Sequence, residues 1–347
     1  MSFYFGDGFD HYATADVNLK WDTIDGLVPS NFAIEPTGGR NGKGCGSFLK
    51  CYAVKNVAVA NNYIVGFAIK FDNNGTAANI IIFKDTTTNN ELVGVRWDTD
   101  NLLKIINPNS GTILASSTTV LPTGTWNYVE FKGSIGSSIA SNSCELRINQ
   151  SLEATVAAGT STLWGSATDM NSIQVGSISG ALNGFTCHID DCVIINVDDA
   201  VAPTDFIGDV TGEALYPNAQ GNYSDFSPVG STQHYLCVNE HPADGDTTYV
   251  YSNNNGSRES YTFPGTTDSI ASVKALQFVI TARKQGSGGR KVTPFTRTSG
   301  TDYDQSDQSV GGSYTMSRQV ITTNPATSAA WTSSEIASME SGFKTSQ

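Results

Sequence analysis

The chain has 347 residues, of which only 15% are charged, and a formal net charge of −13. This length favours two domains, and the acidic balance without a cluster of Lys and Arg excludes nucleic acid as the partner. No apolar run approaches the roughly 20 residues that span a bilayer, and the start lacks the basic and apolar regions of a signal peptide. We therefore expect no membrane insertion and folding in a cytoplasm.

The first part of the chain is predicted to consist of short strands separated by turns. The composition is rich in Gly, Thr, Ser and Asn, strand-like runs recur with turn signals between them, and apolar residues alternate in YIVGFAIKF and WNYVEFKG. The predicted strands are YIVGFAIKF (63–71), ANIIIFKD (78–85), LVGVRWD (92–98), LLKII (102–106), WNYVEFKGSI (126–135), CELRINQ (144–150), SIQVGSI (172–178) and FTCHIDDCVIINV (185–197). Such a series predicts an all-β fold, with an antiparallel β-sandwich over residues 1–200.

Within the last of these runs, CHIDDCVIIN raises the question of a metal site. Successive side chains of a regular strand point to opposite faces, so Cys187 and Cys192 would neither pair nor bind one metal. A bulge at Asp190 and Asp191 would change this. We interpret the stretch as the closing core strand of the first sandwich.

A linker is predicted next, at DDAVAPTDFIGDV, and a second β-sandwich follows over 201–347. SVKALQFVITARK is the longest apolar run of this half and is predicted to be its central strand.

A short helix is predicted at TSSEIASMESGFK, near the end of the chain. Thr332 and Glu335 have the spacing of a capping box. Ile336, Met339 and Phe343 form its apolar stripe, and Gly342 is the predicted stop.

Signs of catalysis are sparse in this sequence. TGGRNGKG (37–44) fails the phosphate-loop pattern at two positions, and neither H-E-x-x-H nor G-x-S-x-G occurs. We expect no enzyme activity and no cofactor, although 33 acidic residues leave a pair of facing carboxylates for glycoside hydrolysis open.

Several residue types still leave alternatives open. Asp244 and Asp246 could bind calcium, but turn capping is the favoured interpretation. Three of the five tryptophans could stack on sugars or lie in the core; they are Trp97, Trp126 and Trp164. The six cysteines are most simply buried thiols, with disulfides or cross-links as the alternative; they are Cys45, Cys51, Cys144, Cys187, Cys192 and Cys237.

Several segments carry a family resemblance, in order along nearly the whole chain: FGDGFDHYATADVNLKW, EPTGGRNGKG, YIVGFAIKF, WNYVEFKGSI, LRINQ, HIDDCVIIN, FIGDVTGEALYPNAQGNYSDFSP and AAWTSSEIASMESGFK. The chain resembles the laminin-G-like (concanavalin A-like) jelly-roll sandwiches of tailed-bacteriophage virion proteins. Such domains often bind calcium or glycans at loops on the sandwich rim. Asp190 and Asp191 match the acidic pair of the last strand, which is structural as often as it is ligating.

The resemblance implies a non-enzymatic structural protein of the virion, made in the host cytoplasm. It would be a capsid decoration or a neck or tail appendage. Its partners would be phage coat, neck or tail proteins and further copies of itself in a homo-oligomer. The alternatives are a tail-fibre lectin that binds a host surface glycan and, after that, a polysaccharide depolymerase.

Overall fold

The computed structural model describes residues 3–73, 77–135, 142–159, 170–178, 185–199, 201–266 and 270–347. The fold is all-β with antiparallel sheets and a short helix near the end, which confirms the predicted fold class. Two compact units divide the chain, Met1–Gly212 and Glu213–Gln347. None of the described helices is long and apolar enough to cross a membrane.

The first unit is a sandwich of two sheets. In the larger sheet the strands run in the order β13-β12-β11-β6-β15-β4-β3, with β1 also paired to β15; the other sheet has the order β10-β9-β8-β7-β14-β5-β2. The strands are β1 (Phe3–Asp7), β2 (Thr23–Gly26), β3 (Ala33–Glu35), β4 (Cys45–Leu49), β5 (Cys51–Ala60), β6 (Asn62–Phe71), β7 (Ala78–Asp85), β8 (Asn90–Trp97), β9 (Leu103–Asn107), β10 (Thr112–Ser116), β11 (Asn127–Ser134), β12 (Ser143–Ile148), β13 (Ser151–Val156), β14 (Met170–Ile178) and β15 (Thr186–Asn196). A single helical turn, α1 (Val17–Lys20), precedes β2.

Aromatic side chains join the two sheets in the core. Phe131 of β11 meets Phe83 of β7 with ring centroids 5.2 Å apart. Phe71 of β6 stacks on Trp97 of β8 at 4.0 Å, and Phe185 packs edge-on against Trp97 at 4.8 Å. These contacts fix which face of the larger sheet is internal, and the opposite face is called the outer face below.

A bulge divides β15 at its two aspartates. The pairing with β6 gains one residue between Asp190 and Val193, and Asp191 has a left-handed φ of 53°. A shift of one residue turns every later side chain to the other face. Cys187 and Cys192 therefore both face the core, and the prediction that they lie on opposite faces is wrong because the strand is not regular.

Residues 205–212 cover part of the outer face. The backbone N–H groups of Ile207 and Gly208 donate to Oε1 of the buried Glu130 at 3.2 and 3.0 Å, and the guanidinium of Arg147 lies 4.1 Å from the ring centroid of Phe206. These contacts place the segment in the first unit, so the unit boundary follows Gly212 rather than residue 200.

The second unit is built on a six-stranded sheet with the order β16-β19-β25-β21-β22, to which β23 adds beside β21. Two separate ribbons pair β17 with β18 and β20 with β24. The strands are β16 (Ala219–Ser224), β17 (Ser227–Val229), β18 (Tyr249–Tyr251), β19 (Arg258–Thr262), β20 (Leu276–Ala282), β21 (Lys291–Thr298), β22 (Thr301–Asp304), β23 (Gln308–Ser309), β24 (Thr315–Ile321) and β25 (Glu340–Ser346). The predicted central strand is therefore wrong: β20 belongs to a two-stranded ribbon and is only half-buried along its length.

The predicted C-terminal helix exists but is short. Helix α2 (Ser333–Ser338) begins with the predicted capping box between Thr332 and Glu335. Its Ile336 is buried beside Trp331. The prediction fails at the other end, because Gly342 and the residues around it continue as β25, which fills the gap between β19 and β21.

Candidate functional site

One end of the outer face is left open beyond the 205–212 segment, and His188 lies there. His188 is on β15, before the bulge, and pairs with Lys70 of β6 on one side and with Ser47 of β4 on the other. Its side chain is only 7% exposed. The pairing of β15 thus places the nearly buried imidazole of His188 between the polar residues Lys70 and Ser47.

Two carboxylates contact opposite edges of this imidazole. Nε2 of His188 is 2.8 Å from Oδ1 of Asp72, and Nδ1 is 3.3 Å from Oε2 of Glu35. The carboxylates themselves are open to solvent, with side chains 45% and 40% exposed. A ring that links two solvent-accessible carboxylates can pass a proton from one to the other.

An aromatic surface adjoins these groups. Trp126 precedes β11 and is half-buried, and the Nζ of Lys70 lies 5.1 Å from its ring centroid. The same Nζ donates to the carbonyl oxygen of Gly38 at 3.4 Å. An aromatic ring next to charged hydrogen-bonding groups can pack against the apolar face of a sugar while the polar groups bind its hydroxyls.

A buried thiol completes the cluster. The Sγ of Cys45 on β4 lies 3.9 Å from Nδ1 of His188. Burial, followed by the charges of Glu35 and Asp190, raises the pKa of this thiol to about 12. The ligand atoms of Glu35, Cys45 and His188 all lie within 4.8 Å of one another, so these residues could hold a metal ion.

The aspartate pair of the bulge lies beside this site, and backbone donors occupy it. Oδ2 of Asp190 accepts from the N–H of Arg40 at 2.8 Å, and Oδ1 accepts from the N–H of Asp191 at 2.7 Å. Asp191 accepts from the N–H of Gly212 at 2.7 Å and pairs with the Arg40 guanidinium at 3.2 Å. Through these contacts, the two carboxylates attach the loops that contain Arg40 and Gly212 to β15.

Burial and the neighbouring Asp191 raise the pKa of Asp190 above that of an ordinary aspartate. The folded state therefore binds more protons than the unfolded state between about pH 4, the unfolded-state value, and the raised pKa. Stability from this group falls as pH rises through that window. We expect the Asp190→Asn variant, which cannot ionise, to gain stability relative to wild type with rising pH.

The slope of this gain is at most about 1.4 kcal/mol per pH unit for one proton. Urea unfolding at a series of pH values measures it. A difference between Asp190→Asn and wild type that stays constant across the window would contradict the raised pKa.

The other predicted site residues do not join this cluster. Both carboxylate oxygens of Asp244 accept from Thr248, and Asp246 binds Arg283 and Tyr314. Trp97 is in the core, and Trp164 lies outside the described residues. The six cysteines are all buried and none forms a disulfide: Cys45 belongs to the His188 cluster, and the others are Cys51, Cys144, Cys187, Cys192 and Cys237.

A second polar cluster occurs in the other unit. Glu259 of β19 is fully buried, and its Oε1 is 2.9 Å from both Nδ1 of His234 and Nε2 of Gln220. A cleft of about 440 Å³ adjoins this cluster; its lining residues are Gln220, Ser224, Thr232, Gln233, His234 and Tyr235. The cleft is an open surface depression, and it lacks the exposed carboxylate pair found around His188.

No protein-family model and no curated protein matches this chain. Among solved structures, alginate lyase Aly36B is similar to 56% of this chain over 97% of its own, with 10% identity and a TM-score of 0.39. The cellulose-induced protein Cip1 is similar to 55% of this chain over 90% of its own, with 15% identity and a TM-score of 0.36. A Trypanosoma rangeli sialidase is similar to 48% of this chain over 26% of its own, with 11% identity and a TM-score of 0.35. Likeness at this level concerns the general sandwich fold and assigns no role to any residue.

These comparisons contradict two predictions. The structures found include alginate lyases and sialidases, which are enzymes, and those named above include no phage structural protein. The prediction of a non-enzymatic virion structural protein is therefore wrong, as is the prediction that the chain is not an enzyme. None of these comparisons tests the phage-family resemblance, the virion location or the phage partners. These three stay predictions.

Proposed function

We propose that the first unit binds a polysaccharide on the open end of its outer face and cleaves the glycosidic bond by acid–base catalysis. One observation carries this proposal. Glu35 and Asp72 present solvent-accessible carboxylates on opposite edges of the nearly buried His188, and Trp126 lies in the same row across the sheet.

The chemistry follows from this arrangement. Cleavage of a glycosidic bond needs one group that protonates the leaving oxygen and one that removes a proton from the attacking water. Glu35 and Asp72 supply the two carboxyl groups. The proton that one of them takes from water returns through the His188 imidazole to the other, which gives it to the leaving oxygen, so the site ends each turnover in its starting state.

The charge of the site favours a neutral substrate. Two exposed carboxylates face the open end, and the whole chain has a formal net charge of −13. This negative charge would repel a polyanion, whereas it would not repel a neutral glycan. A neutral polysaccharide is the substrate class we propose.

The test is a panel of neutral and anionic polysaccharides incubated with the full chain, followed by measurement of new chain ends. We expect cleavage of a neutral polymer and a KM that rises about tenfold in Trp126→Ala, equivalent to about 1.4 kcal/mol of lost binding. Trp126→Phe keeps an aromatic face and should retain most of the affinity.

Two outcomes would contradict the proposal. If no polymer in the panel is cleaved, the outer face does not have the proposed activity. A polymer that binds without being cleaved would indicate a lectin instead. If cleavage occurs but Trp126→Ala leaves KM unchanged, the sugar binds elsewhere.

A further inference from the structure

The acid–base mechanism leaves one member of the His188 cluster unused, the buried thiol of Cys45. This thiol has no role in proton transfer between Glu35 and Asp72. Among the described residues its hydrogen-bonding contact is the His188 ring, at 3.9 Å. A carboxylate, a thiol and an imidazole from three adjacent strands of the sheet therefore converge on one point.

The spacing of these three groups fits a tetrahedral metal centre. With metal–nitrogen and metal–oxygen bonds of about 2.0–2.2 Å and a metal–sulfur bond of about 2.3 Å, neighbouring ligand atoms lie roughly 3.3–3.7 Å apart. Here Oε2 of Glu35 is 3.3 Å and Sγ of Cys45 is 3.9 Å from Nδ1 of His188. Both distances are within a few tenths of an ångström of this range, and all three ligand atoms lie within 4.8 Å of one another.

The other nitrogen of the ring is held as metal-binding histidines require. A ligating histidine usually donates its second N–H to a carboxylate, which fixes the ring and its tautomer. Nε2 of His188 lies 2.8 Å from Oδ1 of Asp72. This contact leaves Nδ1, the nitrogen that faces Glu35 and Cys45, to act as the ligand.

We propose that Glu35, Cys45 and His188 bind one thiophilic divalent cation, with Zn²⁺ as the best match, and that the fourth coordination position is open to solvent. A mixed sulfur, nitrogen and oxygen donor set disfavours Mg²⁺ and Ca²⁺, which prefer oxygen ligands alone. Three protein ligands with one open position is the ligand count of catalytic zinc sites, whereas structural zinc sites have four protein ligands.

Metal binding is coupled to the loss of one proton. The Cys45 thiol must lose one proton to become the thiolate that bonds to the cation. A thiol without a metal or a positive charge beside it is protonated at neutral pH, so the cation displaces that proton and releases it to solvent. Affinity is therefore expected to rise up to tenfold per pH unit while the free thiol stays protonated.

The cation also has a consequence for catalysis, and this part rests on the proposed function. Metal binding engages Glu35 and Nδ1 of His188 together, which breaks the proton path between the two carboxylates. Zn²⁺ is then an inhibitor of polysaccharide cleavage, and a chelator restores the activity. Metal binding itself is tested without any substrate.

The first experiment adds Co²⁺ to the reduced full-length chain and records its near-ultraviolet absorption. A thiolate bound to Co²⁺ gives a charge-transfer band, which we expect in wild type and in the control Cys144→Ser, whose cysteine is buried on β12. The band should vanish in Cys45→Ser. Titration calorimetry with Zn²⁺ should show one site, weakened about 10–100-fold in Asp72→Asn, which loses the carboxylate that orients the ring.

Several results would overturn the proposal. They are the absence of the band in wild type, an identical band in Cys45→Ser, or Zn²⁺ affinity that Asp72→Asn leaves unchanged. Glu35→Gln covers the case in which Cys45→Ser fails to fold, because the Glu35 side chain is 40% exposed and its loss should weaken Zn²⁺ without unfolding the sheet. Since none of these readouts uses a polysaccharide, failure of the metal site and failure of the proposed activity are distinguishable.

Discussion

Replacing Glu35 by Gln is expected to lower kcat for polysaccharide cleavage by about 10²–10⁴-fold, the usual contribution of a general acid or base. The amide keeps the shape of the side chain and can still contact the His188 ring, but it can neither give nor take a proton. Asp72→Asn is expected to have an effect of the same size. Initial rates of chain-end formation, measured on whichever polymer the wild type cleaves, provide the test.

The double variant gives a sharper result. If His188 links the two carboxylates into one proton path, Glu35→Gln combined with Asp72→Asn should lose about as much activity as either single change, because residues that act as a unit are not additive. The matched control is Glu91→Gln on β8 of the opposite sheet, which should keep full activity. Multiplicative losses in the double variant would show that the two carboxylates act separately.

The largest expected effect on stability comes from Trp97→Ala. Trp97 is 1% exposed, and its ring is stacked on Phe71 of the other sheet, with Phe185 against its edge. Truncation would open a cavity between the sheets and cost about 3–5 kcal/mol of the free energy of unfolding. Denaturant unfolding followed by far-ultraviolet circular dichroism measures the loss.

Trp97→Phe is the matched control for this prediction. It keeps an aromatic ring in the stack, and it removes an indole N–H that is buried without a hydrogen-bond partner among the described residues. We expect it to cost clearly less than Trp97→Ala. Equal losses in the two variants would contradict this, because a phenyl ring at position 97 would then recover none of the stability lost in Trp97→Ala.

The pattern of apolar residues was enough to predict eight of the fifteen strands described in the first unit, but not their order in the sheets. Runs such as 63–71 and 126–135 are β6 and β11, although most residues on both faces of these two strands are buried. The same signal failed at β20, where a long apolar run forms a half-buried ribbon. Apolar length alone does not tell which strand a sheet is built around.

The candidate site could not be predicted because its parts are far apart in sequence. His188 meets Cys45 across 143 residues and Asp72 across 116 residues. The CHIDDC motif contains the histidine but not its partners, which lie on β3, on β4 and directly after β6. Only the order of strands in the sheet brings these residues together, and that order is not written in any short motif.

The bulge was hidden for a related reason. Asp190 and Asp191 are held by N–H groups of Arg40 and Gly212, one far before β15 and one after it. A bulge disrupts the strand ladder locally, and here donors from outside the strand bind the two carboxylates at that point. The sequence of this run alone therefore predicts a regular strand, with Cys187 and Cys192 on opposite faces.

The position of β15 has a consequence for how the protein is made. β15 pairs with β6 along one edge and with both β4 and β1 along the other, while β14 joins β5 to β7 in the second sheet. Both joining strands are synthesised after nearly all of their partners, so a nascent chain that ends before them exposes unpaired strand edges. Contacts of such sequence separation also fold slowly. Proteolysis of ribosome-bound chains of increasing length should show protection of residues 3–71 only once residues 170–196 have emerged, and earlier protection would mean that the first strands find another partner.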